Sequence, residues 1–326
     1  MKEMKNYGLE PTEFTHNSLY RCLCRREDVV GALDMVKRMR MHGHKPWIKY
    51  TSSFVEQLCQ NGKVVQACSF LDEMLQEGFP PNIVSYSSVL DSLVKAREVD
   101  HALHLFRGIC DQGCCPDVVA YNILINGLCK AQRISEAEDL ANEMVMKGLV
   151  PSVVTYNLLI CGWCKLGDVD QAMLCLSKMY SEKRDPSVIT YTTLIDGLCS
   201  AGKSDDALML FDDMGSKGCA PNRITFMALI SGLCKCQRPD TGLSYLRQME
   251  EREMTPDSFV YVTLLSTFLS DSNLPMAFEI FKEMINKGII PDQLDKNNSI
   301  MKDAIRELLA DNRTSSSVRA LLSREA

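Results

Sequence analysis

Residues 118–152 read VVAYNILINGLCKAQRISEAEDLANEMVMKGLVPS, and residues 153–187 read VVTYNLLICGWCKLGDVDQAMLCLSKMYSEKRDPS. Both segments are 35 residues long, both end on Pro-Ser, and a proline recurs at this interval along the chain. The prolines of this series are Pro11, Pro46, Pro81, Pro116, Pro151, Pro186, Pro221, Pro256 and Pro291. A fixed period of this length is typical of proteins built from stacked repeats.

Local patterns predict that each repeat is a pair of helices. In residues 153–187, apolar residues at helical spacing predict a first helix over residues 154–165 and a second over residues 169–179. Gly167 fits the end of the first helix, and Asp168 fits the N-cap of the second. Pro186 ends the repeat, because a proline disfavours helix in the residue before it. We therefore predict an all-α fold: a right-handed superhelical solenoid of stacked antiparallel helix pairs, with the first helices lining its concave face.

The proline series divides the chain into eight full repeats, which are 13–47, 48–82, 83–117, 118–152, 153–187, 188–222, 223–257 and 258–292. Residues 1–12 resemble the tail end of a partial repeat. Residues 293–326 begin like a ninth first helix and then lose the pattern, so we expect a cap with a helix near residues 301–309. Because the chain begins in mid-repeat, we expect a fragment of a longer protein or a truncated product.

Residues that share a position in successive repeats predict the core. Small residues recur at one position of the second helix and predict close helix approach; they are Ala32, Ala67, Ala102, Ala137, Ala172, Ala207, Gly242 and Ala277. Methionine recurs at another position and predicts core packing; the series is Met39, Met74, Met144, Met179, Met214, Met249 and Met284, with Ile109 in the third repeat. Six cysteines also share a position, so we expect buried, free thiols in a reducing compartment. They are Cys24, Cys59, Cys129, Cys164, Cys199 and Cys234.

Composition and motifs argue against several classes of protein. The hydrophobic content of 46% is too high for a disordered chain, yet no apolar run reaches the roughly 18 residues that span a membrane. The net charge of -6 does not predict bulk attraction to nucleic acid. Cys161 and Cys164 form a single pair with no second pair, which does not predict a zinc site. Neither a nucleophile–base arrangement nor a phosphate-binding glycine loop is recognisable, so we predict no enzyme and no cofactor.

The repeats resemble the pentatricopeptide repeat (PPR) family, in its P-type subclass of uniform 35-residue units. The first-helix motif reads VVAYNILINGLCK from residue 118, VVTYNLLICGWCK from residue 153 and VITYTTLIDGLCS from residue 188. Resemblance to this family implies sequence-preferring binding of single-stranded RNA, one base per repeat, with two or three side chains reading each base. It also implies a role in RNA stabilisation, processing or translation in a plant organelle. We expect the mitochondrion or alternatively the chloroplast, no membrane association, and other RNA-processing proteins as possible partners.

The resemblance places the base-reading side chains at the fifth and last positions of each repeat. The pairs are Asn17 with Trp47, Ser52 with Asn82, Ser87 with Asp117, Asn122 with Ser152, Asn157 with Ser187, Thr192 with Asn222, Met227 with Asp257, and Val262 with Asp292. An ionised Asp only accepts hydrogen bonds and favours the ring N–H of guanine or uracil, whereas Asn or Ser can donate to the bare ring nitrogen of adenine or cytosine. By family usage, Asn at the fifth position indicates a pyrimidine, and Ser or Thr a purine. From the N-terminus, and 5′ to 3′, these rules predict a pyrimidine, A, G, C, C, A and U, with the eighth base left open. The predicted core is AGCCA.

Two further positions complete the RNA site implied by the resemblance. The second position clamps the base, and its residues are Phe14, Val84, Val119, Val154, Ile189, Ile224 and Phe259, with Lys49 departing from the pattern. Cations at the thirteenth position are candidates for phosphate contacts; they are Arg25, Lys95, Lys130, Lys165 and Lys235.

Other interpretations of the same residues stay open at this point. The last-position Asp, Asn and Ser residues are also favoured helix N-caps, and the thirteenth-position cations suit the C-terminal end of a helix. The second-position residues could be ordinary packing, and the fifth-position residues ordinary polar surface. For the whole chain, the alternatives are a scaffold that binds proteins and a fragment without independent function.

Overall fold

A computed structural model describes residues 8, 10–111, 115–288, 299–310 and 314–322. Within these residues every regular element is an α-helix. The first eight are α1 (Glu13–Arg25), α2 (Val29–Met41), α3 (Ile48–Gln60), α4 (Val64–Gln76), α5 (Ile83–Lys95), α6 (Val99–Asp111), α7 (Val118–Lys130) and α8 (Ile134–Met146). They are followed by α9 (Val153–Leu166), α10 (Val169–Ser181), α11 (Val188–Ser200), α12 (Ser204–Ser216), α13 (Arg223–Lys235), α14 (Pro239–Glu251), α15 (Ser258–Ser270), α16 (Leu274–Asn286), α17 (Ser299–Ala310) and α18 (Ser315–Leu322).

The chain forms two compact units, Met1–Leu159 and Ile160–Ala326. In the first unit, the first helices α1, α3, α5 and α7 pack in sequence, and each packs against the second helix of its own repeat. In the second unit, α11, α13 and α15 follow the same arrangement with their partners α12, α14 and α16. The predicted all-α class and the stacking of helix pairs are confirmed.

Turn residues set the ends of the helices. Both helices of the fifth repeat, α9 and α10, lie within two residues of their predicted ends. Gly167 adopts the left-handed conformation with a φ of 88°, and its N–H donates to the carbonyl oxygen of Cys164 at 3.1 Å. The side chain of Asp168 accepts the N–H of Gln171 at 3.1 Å. Gly167 therefore ends α9 and Asp168 caps α10, as predicted.

The core lies where the recurring small and apolar residues meet. All seven alanines of the small-residue series are 0% exposed. At the eighth member, Gly242, an added Cβ would lie 3.3 Å from Cδ2 of Leu264. The methionine series is likewise buried, with Ile109 at the same position. Both core predictions are confirmed.

A close contact between neighbouring first helices explains the recurring cysteines. An added Cβ on Gly197 would lie 2.4 Å from Sγ of Cys164, and one on Gly232 would lie 2.5 Å from Sγ of Cys199. The tenth position of one repeat thus meets the twelfth position of the preceding repeat, where only a small side chain fits. Burial raises the pKa of Cys199 and of Cys164 to about 12, which keeps these thiols protonated and unreactive at neutral pH.

The C-terminal helices continue the stack of the second unit. α17 covers the helix predicted near residues 301–309, whereas α18 was not predicted. α17 packs against α15, and α18 packs against α16 and α17. The start of the predicted ninth first helix, within residues 289–298, lies outside the described residues. No helix in the described part of the chain has both the length and the apolar character needed to cross a membrane.

Candidate nucleic-acid interface

Large apolar side chains are exposed in the first turn of most first helices, at the second position of the repeat. They are Phe14, Val84, Val119, Val154, Ile189, Ile224 and Phe259, each between 56% and 68% exposed. Core residues of the same helices differ sharply, since Tyr121 and Leu124 of α7 are both 0% exposed. Packing inside the stack therefore does not account for the second-position residues. A recurring exposed apolar position of this kind is typical of a binding surface.

The last residue of a repeat lies two positions before this exposed residue and caps the first helix that follows. Its side-chain oxygen accepts the N–H three residues further on. The bonds join Asn82 to Ser85 (3.0 Å), Asp117 to Ala120 (2.9 Å), Ser152 to Thr155 (3.3 Å), Ser187 to Thr190 (3.3 Å), Asn222 to Thr225 (3.0 Å) and Asp257 to Val260 (3.1 Å). The capping role occupies one oxygen. Oδ2 of Asp117 and Nδ2 of Asn82 make no hydrogen bond within the described residues and stay available to a ligand.

In the second repeat, the fifth and last side chains bond to each other. The hydroxyl of Ser52 donates to Oδ1 of Asn82 at 3.0 Å. The hydroxyl of Ser85, at the third position of the next repeat, lies 2.8 Å from the same oxygen and 3.1 Å from Oγ of Ser52. The three side chains thus hold one another in place and leave the amide nitrogen of Asn82 as the group that can donate to a ligand.

Third-position hydroxyls support the fifth position in two further repeats. Thr155 donates to Oδ1 of Asn122 at 2.8 Å and lies 3.2 Å from Oγ of Ser152. The hydroxyl of Thr225 lies 2.8 Å from that of Thr192. The third position is not among the site residues predicted from the sequence. A signal was available, because five repeats carry Ser or Thr there: Thr15, Ser85, Thr155, Thr190 and Thr225.

The remaining reading positions are less uniform. Oγ of Ser87 is buried and has no hydrogen-bond partner within the described residues. Asn157 and Met227 are half-buried. Val262 is buried and offers no polar group. Asp292 lies outside the described residues.

In the first repeat, the amide of the fifth-position side chain is bonded to the protein itself. Nδ2 of Asn17 donates to the carbonyl oxygens of Glu13 at 3.1 Å and Lys45 at 2.9 Å. Its Oδ1 accepts the N–H of Trp47 at 2.7 Å, and the residue is 0% exposed. Trp47, in the last position, makes no side-chain cap and is 39% exposed. This repeat therefore presents an indole ring where others present a small polar side chain.

A comparison with models of protein families identifies these repeats. The PPR repeat family model matches residues 52–95, 81–130, 116–165, 151–200, 186–235 and 221–270, and the PPR repeat model matches residues 14–44 and 259–289. Together the matches cover well over half of the chain.

The chain belongs to the pentatricopeptide repeat family.

Solved structures of PPR proteins share the fold. The crystal structure of the pentatricopeptide repeat protein PPR10 from maize aligns with a TM-score of 0.59 and 22% identity, over 86% of this chain and 45% of that chain. PPR10 in complex with an 18-nt psaJ RNA element aligns with a TM-score of 0.54 and 23% identity, over 86% of this chain and 46% of that one. This PPR chain thus spans just under half the length of PPR10. No curated protein sequence matches it significantly.

Several first helices of this PPR chain carry a cation in their last turn. Arg25, Lys95, Lys130, Lys165 and Lys235 are all exposed in the last turn of their helices. Lys95 pairs with Asp91 at 2.6 Å, and this bond raises the pKa of Lys95. The other four have no ion pair with any described residue, so their charges are available to a ligand.

Among the residues that the structure describes, no cluster of three or more His, Cys, Asp or Glu side chains is arranged to hold a metal ion. The candidate interface of this PPR chain therefore consists of apolar groups, hydrogen-bonding groups and cations. Such groups can bind a ligand by stacking, by hydrogen bonds and by charge.

Proposed function

We propose that the chain binds single-stranded RNA in a sequence-preferring manner, with successive repeats each contacting one base. The observation that carries the proposal is the recurrence, repeat after repeat, of an exposed apolar side chain two residues from a capping side chain with an unused polar atom. Val119 and Asp117 form such a pair at the start of α7. An apolar contact to the base face tolerates any base, whereas the polar atom can select among bases.

The caps explain how a small side chain can select a base. Because one oxygen of Asp117 is held by the N–H of Ala120, the second oxygen has a fixed direction and only accepts. It therefore favours guanine or uracil in the third repeat. The side-chain oxygen of Asn82 accepts hydrogen bonds from the Ser52 hydroxyl and from the N–H and hydroxyl of Ser85. Its amide N–H groups stay available as donors, which favours adenine or cytosine in the second repeat. With the fifth-position residues, repeats two to six would select AGCCA from 5′ to 3′.

The proposed effect on the RNA arises because the bound protein covers it, and it requires no catalysis by this chain. A bound repeat array covers its RNA, blocks nucleases and prevents the RNA from folding on itself. We propose that this acts in the stabilisation, processing or translation of transcripts in mitochondria or chloroplasts, alone or with other RNA-processing proteins. The crystal structure of PPR10 with an RNA element supports a shared mode of binding.

An electrophoretic shift comparing two RNA oligomers tests the proposal. One contains AGCCA in a uridine background, and the other contains the same bases in scrambled order. We expect at least tenfold tighter binding of the first, equivalent to about 1.4 kcal/mol. Equal affinity for both would refute the base assignment, and failure to bind either at moderate salt would refute RNA binding itself. Salt-insensitive capture of a protein partner with no RNA binding would instead indicate a protein scaffold.

A further inference from the structure

The first two repeats depart from the common residue pattern at several positions that lie between α1 and α3. Lys49 stands at the second position, where seven other repeats carry an apolar residue. Tyr50 stands at the third position, where the others carry Thr, Ser, Ala or Val. Arg21 stands at the ninth position, where no other repeat has a cation. Together with Trp47 at the last position, these residues concentrate aromatic and basic groups between α1 and α3.

A pocket of about 460 Å³ lies between these helices and is bordered by three cations. They are Arg21 and Arg25, one turn apart on α1, and Lys49 on α3. None of the three has a carboxylate partner among the described residues. Four other cations of these repeats are paired with carboxylates: Lys37, Arg38, Arg40 and Lys63. The pocket therefore concentrates positive charge that the protein itself does not neutralise.

Aromatic rings form the wall next to the pocket. Phe14 and Trp47 meet edge to face with their ring centroids 6.1 Å apart, and Trp47 lies 5.6 Å from Tyr50. The guanidinium of Arg21 lies over the Tyr50 ring at 5.4 Å, a contact that holds the cation at the pocket edge. Phe14 is 68% exposed and Trp47 39% exposed. These rings are open to a planar ligand that could stack on them.

The two reading positions of the first repeat offer no free polar side chain to a base. The side chain of Asn17 is buried; its amide nitrogen donates to the carbonyl oxygens of Glu13 and Lys45, and its oxygen accepts the N–H of Trp47. The indole N–H of Trp47 points to a carboxylate oxygen of Glu13 at 3.4 Å. What remains is a stacking surface beside a basic pocket, and these two features bind the two parts of a nucleotide that all four nucleotides share, the ring face and the phosphate.

We infer that α1 and the start of α3 form between them a nucleotide-binding site that does not select the base, separate from the base-selecting Asn82 of the second repeat. The base stacks on Trp47 and Phe14, while its phosphate enters the pocket of Arg21, Arg25 and Lys49. This inference rests on the proposed function, and the site anchors the nucleotide on the 5′ side of the AGCCA run. Arginine suits this role, because its planar guanidinium binds two phosphate oxygens at once.

The test uses the full chain and three RNAs: AGCCA alone, AGCCA with two extra 5′ nucleotides, and AGCCA with two extra 3′ nucleotides. The native chain should bind the 5′-extended RNA about tenfold more tightly than the core, whether the extension is AA, CC or UU. The double variant Arg21→Gln/Lys49→Gln should lose this gain and keep its affinity for the core. The matched control Lys37→Gln/Arg40→Gln removes two cations from α2, where both are paired with carboxylates, and should keep the gain.

Fluorescence of Trp47 gives a second measurement that needs no variant of the pocket. The chain has two tryptophans, and Trp163 is buried. The 5′-extended RNA should quench the emission, and the Trp47→Phe variant should lose this response. The inference is overturned if the 5′ gain depends on which bases are added, or if the double variant keeps it. The 3′ extension is the control: it reaches repeats seven and eight, and its effect should be the same in the native chain and in the double variant. Binding of the core without an effect of extension refutes this site alone, whereas binding of no RNA refutes the proposed function as well.

Discussion

The side-chain oxygen of Asn17 accepts the backbone N–H of Trp47 at 2.7 Å. These two residues occupy the positions at which the family resemblance places base recognition in the first repeat, yet here they bind each other. The same amide also donates to two carbonyl oxygens, so it holds the linker between α2 and α3 against α1. Asn17 is therefore a structural residue, and its identity does not determine a base.

Substitution of Asn17 should affect stability and leave base preference unchanged. Asn17→Ser removes three hydrogen bonds of a buried side chain and should lower the free energy of unfolding by about 2 kcal/mol. Urea unfolding followed by circular dichroism measures the loss. Asn122→Ser is the matched comparison. It should change the base preferred by the fourth repeat, which is the third base of AGCCA, from C to A. A change of preference at the first base in Asn17→Ser would contradict the structural role.

Asp117→Asn separates capping from base selection. Asparagine caps helices as well as aspartate does, so the thermal midpoint should stay within a few degrees of the native value. The side chain gains a donor, and the preferred base of the third repeat should change from G to A by about tenfold in relative affinity. Binding titrations with AGCCA and AACCA oligomers measure this. An unchanged preference would mean that Asp117 serves α7 as a cap and nothing more.

Gly127→Ala tests the close approach of neighbouring first helices. Its added Cβ would lie 2.8 Å from Cγ2 of Val94, and such overpacking costs about 1–3 kcal/mol. The second substitution Val94→Ala removes both γ carbons and should restore part of the loss in the double variant. Gly215→Ala is the control, because its Cβ would meet nothing within 4 Å, and it should stabilise the chain by about 0.5–1 kcal/mol. Equal effects of the two glycine substitutions in urea unfolding would contradict the contact.

Acid should weaken the second unit through Glu283. This carboxylate binds Arg247 at 2.8 Å and 2.5 Å and Lys287 at 2.7 Å. The Arg247 hydrogen bonds, and then that of Lys287, lower the pKa of Glu283 from 4.5 to about 2. A lowered folded-state pKa means that the stabilisation is complete above pH 4.5 and is lost as the pH falls towards 2. At about 1.4 kcal/mol per pKa unit this shift corresponds to about 3 kcal/mol, which solvent screening of the partly exposed pair reduces to about 2 kcal/mol at neutral pH.

Glu283→Gln should therefore lower the urea midpoint at pH 7 and reduce the difference between pH 7 and pH 3. Glu279→Gln on the same helix is the control, because Glu279 is exposed and only 3.5 Å from Lys282 and should contribute little. If both variants keep the native pH profile, another group is responsible for the acid sensitivity.

The proline period was sufficient to predict where the first helices begin. A repeat-ending Asp, Asn or Ser is also a helix N-cap, so the boundary of the repeat and the boundary of the helix coincide, as at Asp117 and Val118. The period could not predict that Thr155 contacts Asn122, or that Arg21 and Lys49 border one pocket. Those contacts join different positions of adjacent repeats, and the spacing and rotation of packed helices decide which positions meet.

The capping bonds limit how this surface can change over time. A residue such as Asn82 or Asp117 must hold the first turn of a helix before it can contact anything else. Substitutions that keep the fold are therefore drawn mainly from Asp, Asn, Ser and Thr. New specificity at these positions can arise by exchange within four residue types, without passing through an unfolded intermediate. The capping requirement thus limits these positions to a few residue types, and exchange among those types can change the base preference without loss of the fold.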